Sequence, residues 1–324
     1  MLPTERIPLN IITGFLGSGK TTLLQHMLGS PALTDAAVII NELGAVGIDD
    51  ALVRHLSQDT TLLENGCLCC RLSTDLPLAV EEVEQRRRQL GMAPATRIVL
   101  ETSGMADPAP ILQSVLTEPA LIRRVRLDSV TTTVDILQVC DHLSRYPEIA
   151  RQIAVADTIL ITKTDLMEAP MMASVLPRLS ALAPNAVVLK TPPIPPADCL
   201  LGAGLRNPNT GLLEPQRWLG ASRSSPPQHT ERINTVVIRP TQPLSWLDME
   251  TDLRSLLSIS GDRILRVKGL LMPTDHACSI AVHAVHHQLH VPVALPESMA
   301  IKPVLVIVSD GLEEAVLRAA FRRW

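Results

Sequence analysis

Two groups of residues in the first seventy positions have types and spacings suited to chemistry. The first is Gly14-Phe-Leu-Gly17-Ser18-Gly19-Lys20-Thr21, which fits G-x-x-x-x-G-K-T. It follows a short apolar run, Ile7 to Thr13, that reads as a buried strand, and it precedes good helix formers through Leu28. Strand, glycine-rich loop and helix are the context a phosphate-binding loop requires. Gly14 and Gly19 permit backbone angles that a Cβ would forbid. The loop can therefore turn N–H groups inward around a phosphate at the positive end of the helix. Lys20 would reach the β- and γ-phosphates and the Thr21 hydroxyl would bind Mg²⁺, with Gly17, Ser18 and Thr22 completing the cradle.

The second group is Asn65-Gly66-Cys67-Leu68-Cys69-Cys70. Three thiols within four residues can converge on one soft or borderline cation. They leave one tetrahedral position for a carboxylate, a histidine or a second chain. Zn²⁺ is the default, with Co²⁺, Ni²⁺ and Cu⁺ allowed by ligand type. The competing readings are buried structural cysteines that bind nothing and a vicinal disulfide between Cys69 and Cys70. Cys140, Cys199 and Cys278 are scattered and read as apolar fillers.

Two further segments fit around the phosphate loop. Arg97-Ile-Val-Leu-Glu101 is an apolar strand ending in an acid, where a carboxylate would hold Mg²⁺ directly or through water. Gly104, three residues on, could bring its N–H against a γ-phosphate. Ile159-Leu-Ile-Thr162-Lys163-Thr164-Asp165 would read the base. Asp165 accepts from the N1–H and amino group of guanine, a donor pair adenine lacks, and the Lys163 stem would lie over the purine. Thr162 stands where this kind of motif usually has Asn. GTP is thus expected over ATP. Lys20, Thr21 and Glu101 are the expected catalytic residues, and no glutamine is evidently placed to orient an attacking water, so turnover should be slow.

The bulk numbers bound the class. At 324 residues two domains are expected. Hydrophobic residues make up 46% and charged ones 19%, sufficient for a sizeable core, while aromatics at 2% leave that core to Leu, Ile, Val and Ala. A net charge of −4, with no basic half, argues against nucleic acid as partner. No apolar run approaches the ~20 residues of a membrane span and no signal peptide is evident, so a cytoplasmic location is expected. Six cysteines in such a chain point to metal or redox chemistry before a disulfide framework.

Apolar runs at Ala36–Asn41, Arg97–Leu100, Ser129–Val134, Thr158–Thr162 and Ala186–Leu189 alternate with helical stretches. One of these, Leu76 to Leu90, carries Glu81, Glu82, Glu84 and Arg86–Arg88 as an apparent charged face. This predicts a mostly parallel sheet covered on both faces, the α/β architecture of a P-loop NTPase, over residues 1–191. Residues 192–232, rich in Pro, Gly and Ser, read as a connection. From 233 to 324, strands at Thr235–Arg239, Arg263–Leu271, Ser279–Val285 and Val304–Val308 predict a smaller α+β domain. Its helices would run from a Ser245 cap through Leu257 and over Glu313–Arg323.

Taken together, Gly14–Thr22, Asn41–Asp49, Asn65–Cys70, Glu101–Pro108 and Thr162–Asp165 resemble the CobW/YjiA-type P-loop GTPases, relatives of the UreG and HypB nickel-insertion proteins. The likeness continues through Asp262–Gly269 and Val282–His287, so it spans nearly the whole chain. It implies slow GTP hydrolysis with Mg²⁺, Zn²⁺ or another transition metal at the cysteines, and delivery to a client metalloprotein or metal-cofactor enzyme. It also implies that a switch-loop glutamate, Glu42 here, joins Cys67, Cys69 and Cys70. A metal shared between chains would permit a homo-oligomer. Two other classes stay open on the residues: a P-loop ATPase or small-molecule kinase, and a nucleotide-gated adaptor with a structural zinc. His276, His283, His286, His287 and His290 are either an accessory metal site or a set of surface histidines, the latter being favoured.

Overall fold

The computed structural model describes residues 6–42, 61–66, 72–167, 169–201, 205, 213–219, 233–297, 299 and 301–324. The first half alternates strand and helix as the apolar runs require. β1 (Ile7–Gly14) leads into α1 (Lys20–Leu28), then β2 (Ala36–Glu42), β3 (Thr61–Gly66) and α2 (Leu72–Gln89). β4 (Arg97–Glu101), α3 (Ala109–Thr117), α4 (Pro119–Ile122) and β5 (Val125–Asp135) follow. The half closes with α5 (Val139–Arg145), α6 (Pro147–Ala154), β6 (Thr158–Thr162), α7 (Ala169–Leu182) and β7 (Val187–Lys190). The seven strands form one sheet in the order β3-β2-β4-β1-β5-β6-β7, and every pairing is parallel.

Side chains alternate between two cores, which explains the continuous apolarity of the strands. Leu9, Ile11, Ile98 and Leu100 pack with α2, α3, α6 and α7 through residues such as Val80, Leu112, Ile153 and Leu179. Ile12, Val38, Ile40 and Val99 face the other way, onto Leu23, Leu24 and Met27 of α1. The expected charged face of α2 needs one correction. Arg87 is fully buried, donating from Nε to the Ala93 carbonyl (2.7 Å) and from Nη2 to Asp35 (3.0 Å). It fastens the end of α2 to the start of β2, a use of arginine that helical spacing does not reveal.

The connection is not a free spacer. α8 (Ala197–Leu201) buries Leu200 and Leu201 in the α1-side core. α9 (Pro215–Leu219) buries Trp218 and Leu219 against the second sheet. Those apolar residues, diluted among prolines and glycines, anchor the described parts of the segment to the two cores. Cys199 is exposed, so it does not fill a core, whereas Cys140 packs half-buried against one.

The second sheet is antiparallel. β8 (Ile233–Ile238), α10 (Trp246–Ser260), β9 (Ile264–Leu271), β10 (Ile280–Val285), β11 (Gln288–Leu289), β12 (Val293–Ala294), β13 (Val304–Asp310) and α11 (Glu314–Ala320) come in that order. The strand order is β11-β10-β9-β13-β8, with β12 on β10. α10, α11 and the residue that follows it cover one face with Leu253, Leu257, Leu317 and Phe321. Ser245 caps α10 as expected, its hydroxyl accepting from the Asp248 N–H at 3.2 Å. Among the described residues no helix is long and apolar enough to cross a membrane.

The two sheets share buried contacts: Leu265, Val285 and Val308 of the second join the core of the first. At their junction Asp157, just before β6, is sealed with Arg266 and Lys268 of β9. Both Asp157 oxygens accept from Arg266 Nη2 (2.9 and 3.0 Å), and Lys268 donates to Oδ1. Arg266 also donates to the Val155 carbonyl and Lys268 to that of Trp218 (2.8 Å). Burial pushes the Asp157 carboxyl up, but Arg266 and Lys268 outweigh it and hold the group below the usual carboxylate range.

Removing one partner of a buried ion network leaves uncompensated charge, at a cost of about 3–5 kcal/mol. Asp157→Ala is therefore expected to lower the urea midpoint by that equivalent, with Arg266 and Lys268 stranded. A loss below ~1 kcal/mol would show that water reaches the junction and that it does not hold the sheets together.

Candidate nucleotide and metal site

Parallel register brings the chemistry to one edge. Ile12 of β1 and Ile40 of β2 both pair with Glu101, and Glu42 of β2 pairs with Gly66 of β3. The phosphate loop after β1, the acid ending β4 and the segment entering Cys67 all leave the carboxyl ends of adjacent strands. That edge, where the chain order reverses about β1, is where open α/β sheets bind ligands.

The loop itself is built from glycines that need to be glycines. Gly14, Gly17 and Gly19 have positive φ (141°, 69° and 93°). A Cβ on Gly14 would also stand 2.3 Å from Thr133 Oγ1. Ser18 Oγ bonds the Phe15 carbonyl and Thr133 Oγ1, both at 2.7 Å, bracing the loop from below. Lys20 folds back so that Nζ donates to the Gly14 (2.9 Å) and Phe15 (3.2 Å) carbonyls. Thr22, next along α1, is exposed at the start of the helix.

Thr21 and Glu101 meet as expected of a hard-cation pair. The Thr21 hydroxyl donates to Glu101 Oε1 at 2.8 Å, and Glu101 is 2% exposed. A hydroxyl and a buried carboxylate are the oxygen donors Mg²⁺ takes, with phosphate oxygens and water filling its octahedron. Gly104 lies against the loop: a Cβ there would be 2.7 Å from the Leu16 nitrogen and 2.9 Å from its Cα. The Gly104 backbone thus rests directly on Leu16 of the phosphate loop.

The base-reading segment follows β6. Thr162 Oγ1 donates to the Ser18 carbonyl at 2.9 Å. The hydroxyl standing where Asn is usual therefore ties this segment to the phosphate loop. Lys163, at φ 60°, extends Nζ to Asp135 Oδ2 (2.6 Å), and Asp165 is exposed in the 3₁₀ turn Thr164–Leu166. Lys163 is held by a buried acid while Asp165 is presented to solvent, an arrangement suited to a planar base.

Two residues of this neighbourhood carry no motif. Gln152 of α6 is buried, and its amide donates to the Gly104 (3.1 Å) and Ala106 (3.0 Å) carbonyls. Arg151 donates to Asp107 Oδ2 (2.8 Å) and Asp310 Oδ2 (3.1 Å), joining the segment after Glu101 to the last strand of the second sheet. Their adjacency on α6 is visible in sequence, but nothing there says what they face. Residues 43–60 and Cys67, Cys69 and Cys70 lie outside the described residues. Glu42 stands beside Gly66 in the register of β2 and β3.

Residues 8–190 match the CobW/HypB/UreG nucleotide-binding domain, and residues 233–324 match the cobalamin synthesis protein cobW C-terminal domain. The chain is 34% identical over 271 residues to the zinc chaperone YjiA of Escherichia coli (strain K12), covering 82% of this chain and 81% of that protein. It is 31% identical over 194 residues to zinc-regulated GTPase metalloprotein activator 1 of Schizosaccharomyces pombe, covering 58% of this chain and 46% of that one. The crystal structure of Zn(II)-bound YjiA GTPase from E. coli shares the fold with a TM-score of 0.73 and 26% identity. That match covers 98% of this chain and 99% of the other.

The five C-terminal histidines are dispersed over three places. His283 and His290 stack with centroids 4.7 Å apart, His286 and His287 meet the Gly261 carbonyl and Asp262, and His276 meets Asp275. Among the described residues no group of three metal-ligating side chains forms. Burial, reinforced by Arg266, holds His283 well below the usual imidazole range and His290 at about 4. Burial likewise lowers His286. These groups stay neutral in the fold while the unfolded chain protonates near pH 6.5. The unfolded state then binds more protons, so their contribution is complete above about pH 6.5 and is lost as pH falls toward about 4. The unfolding temperature is expected to drop between pH 7 and 5, with a shallower drop in His283→Phe/His290→Phe. Identical slopes would show that these imidazoles are solvated.

Proposed function

Because the chain belongs to the CobW/HypB/UreG family, we propose that it is a metal-binding GTPase. In this reading GTP binding and hydrolysis drive delivery or sensing of a transition metal, zinc first, with cobalt or nickel as the other cargoes. The observation that carries the reading is the strand register, with Glu42 beside Gly66 and Glu101 one strand away. A ligand set of Glu42, Cys67, Cys69 and Cys70 then begins on the strands whose ends flank the Mg²⁺ and phosphate groups.

The roles divide as follows. Gly14, Gly17, Ser18, Gly19 and Thr22 cradle the phosphates, and Lys20 exchanges loop carbonyls for β- and γ-phosphate oxygens. Thr21 and Glu101 hold Mg²⁺, which when bound neutralises the charge developing on the transferred phosphoryl group. Gly104, held from behind by Gln152, offers its N–H to the γ-phosphate. Asp165 selects guanine, with Lys163 over the ring and Thr162 joining both to the loop. The nucleotide domain covers 1–191, the connection 192–232 and the second domain 233–324. The client is a metalloprotein in the cytoplasm, and an open coordination position at the cysteines would admit either the client or a second copy of the chain. Neither nucleic acid nor a membrane enters this account.

Purified protein is expected to hydrolyse GTP slowly and to prefer GTP over ATP. Lys20→Ala should lower hydrolysis at least ~100-fold, in line with loss of a transition-state charge contact worth ~2.7 kcal/mol or more. Asp165→Ala should reduce the preference over ATP by at least ~tenfold. Cys67→Ala/Cys69→Ala/Cys70→Ala should abolish tight Zn²⁺ binding and leave nucleotide binding in place. Turnover with ATP equal to that with GTP, or Zn²⁺ affinity unchanged in the triple variant, would overturn the proposal.

A further inference from the structure

Three consecutive residues of the base-reading turn are each tied to a different segment. Thr162 donates to the Ser18 carbonyl of the phosphate loop (2.9 Å). Lys163 Nζ donates to Oδ2 of Asp135, the last residue of β5 (2.6 Å). The N–H and the hydroxyl of Thr164 both donate to the Thr191 carbonyl, just beyond β7 (3.2 and 2.9 Å). Thr191 is fastened in turn, its N–H donating to the Ile161 carbonyl (2.9 Å). The first and third ties are short and end on backbone. The second differs, because it fixes the far end of a long side chain.

The carboxylate that does this is itself held. Asp135 stands in register with Thr162 of β6, and its side chain is 7% exposed against 37% for Lys163. Its Oδ1 accepts the Leu137 N–H at 2.9 Å, which leaves Oδ2 for Lys163. Lys163 has φ 60°, a left-handed conformation that costs energy for a residue with a Cβ. Its carbonyl accepts the Leu166 N–H at 3.1 Å, which holds that conformation. Strain of this kind persists where the surroundings over-determine it, and it clusters at ligand sites.

Charge alone gives Asp135 the wrong sign for a phosphate site. It lies two residues past Thr133, which bonds Ser18 of the phosphate loop, and an acid there repels phosphate. Any gain in nucleotide binding must therefore come through Lys163. A lysine side chain is among the costliest to immobilise, and one pinned at Nζ has lost that freedom before a ligand arrives. We propose that Asp135 is a positioning residue for the nucleotide base, holding Lys163 so that its carbon stem is a fixed wall for the purine. The assignment rests on the reading of Lys163 and Asp165 as the base site. It separates two tasks: Asp165 selects the purine, and Asp135 sets how tightly any purine binds. The stem meets the ring face, which guanine and adenine share, so it carries no preference between them.

Asp135→Asn keeps an acceptor for Leu137 and removes the charge that holds Lys163. Calorimetric titration of the full chain with GDP, ADP and inorganic tripolyphosphate separates the base from the phosphates. In Asp135→Asn, GDP and ADP are expected to weaken by a common factor of about three to ten. Tripolyphosphate should bind as before or more tightly, since an acid near its site is gone. In turnover, KM for GTP should rise by the factor seen for GDP with kcat changed less than twofold, as for lost uniform binding. Lys163→Met, which keeps an apolar stem without the ammonium, should lose GDP affinity relative to tripolyphosphate to the same extent. Combining it with Asp135→Asn should add little. Lys163→Arg, which can still reach the carboxylate, should retain most of the affinity. Unchanged or tighter GDP binding in Asp135→Asn, or tripolyphosphate weakened in parallel with GDP, would overturn the assignment. A loss confined to GDP would make Asp135 a guanine reader and overturn it as well. Equal binding of GDP and ADP by the unaltered protein would instead remove the selecting role of Asp165, while GDP against tripolyphosphate still decides the role of Asp135.

Discussion

Everything in the site depends on a constraint of the parallel sheet: neighbouring strands end on the same side, and register decides which residues end together. Gly14, Glu42, Gly66 and Glu101 are spread along the sequence from position 14 to position 101, yet β1, β2, β3 and β4 release them at one edge. Local chemistry then refines the arrangement. Thr21 finds Glu101 across that edge at 2.8 Å, and the absence of a Cβ at Gly104 lets the next segment rest on the Leu16 backbone. A site made this way is tightly packed, because the segments meet through close backbone contacts and buried hydroxyl bonds alike.

The second domain is attached by more than apolar contact. Asp157 stands at the start of β6, five residues before Thr162, whose hydroxyl bonds the phosphate loop. The same carboxylate holds Arg266 and Lys268 of the antiparallel sheet. Arg151 adds a second link between Asp107, beyond Glu101, and Asp310. Both connections run from elements that border the nucleotide site to strands of the other domain. The fold therefore contains physical routes by which changes at the nucleotide edge reach the C-terminal sheet.

Much of this was legible before the structure. The parallel sheet followed from runs such as Arg97–Leu100, because only a strand buried on both faces is apolar without alternation. The phosphate loop followed from glycines flanked by strand and helix, and the Ser245 cap from a serine ahead of an amphipathic run. The failures share a cause. Arg87 reads as part of a charged face and Cys199 as filler. In both cases burial is decided by what packs opposite, and composition does not carry that. Gln152 and Arg151 carry no sequence signal for the same reason: they act on segments forty residues away or more, through contacts set by tertiary packing. The reach of the histidines was likewise decided by β10 and the turn after it, which separate His283 and His290 from His286 and His287.

The central claim is that nucleotide state governs the metal at Glu42, Cys67, Cys69 and Cys70. The direct test is Zn²⁺ affinity, by competition with a chromophoric chelator, first with GDP and then with a non-hydrolysable GTP analogue and Mg²⁺. Coupling predicts that the two affinities differ by tenfold or more, about 1.4 kcal/mol, and that Zn²⁺ shifts nucleotide affinity by the same factor. Equal Zn²⁺ affinity in both states would contradict the claim and leave a GTPase whose metal is structural.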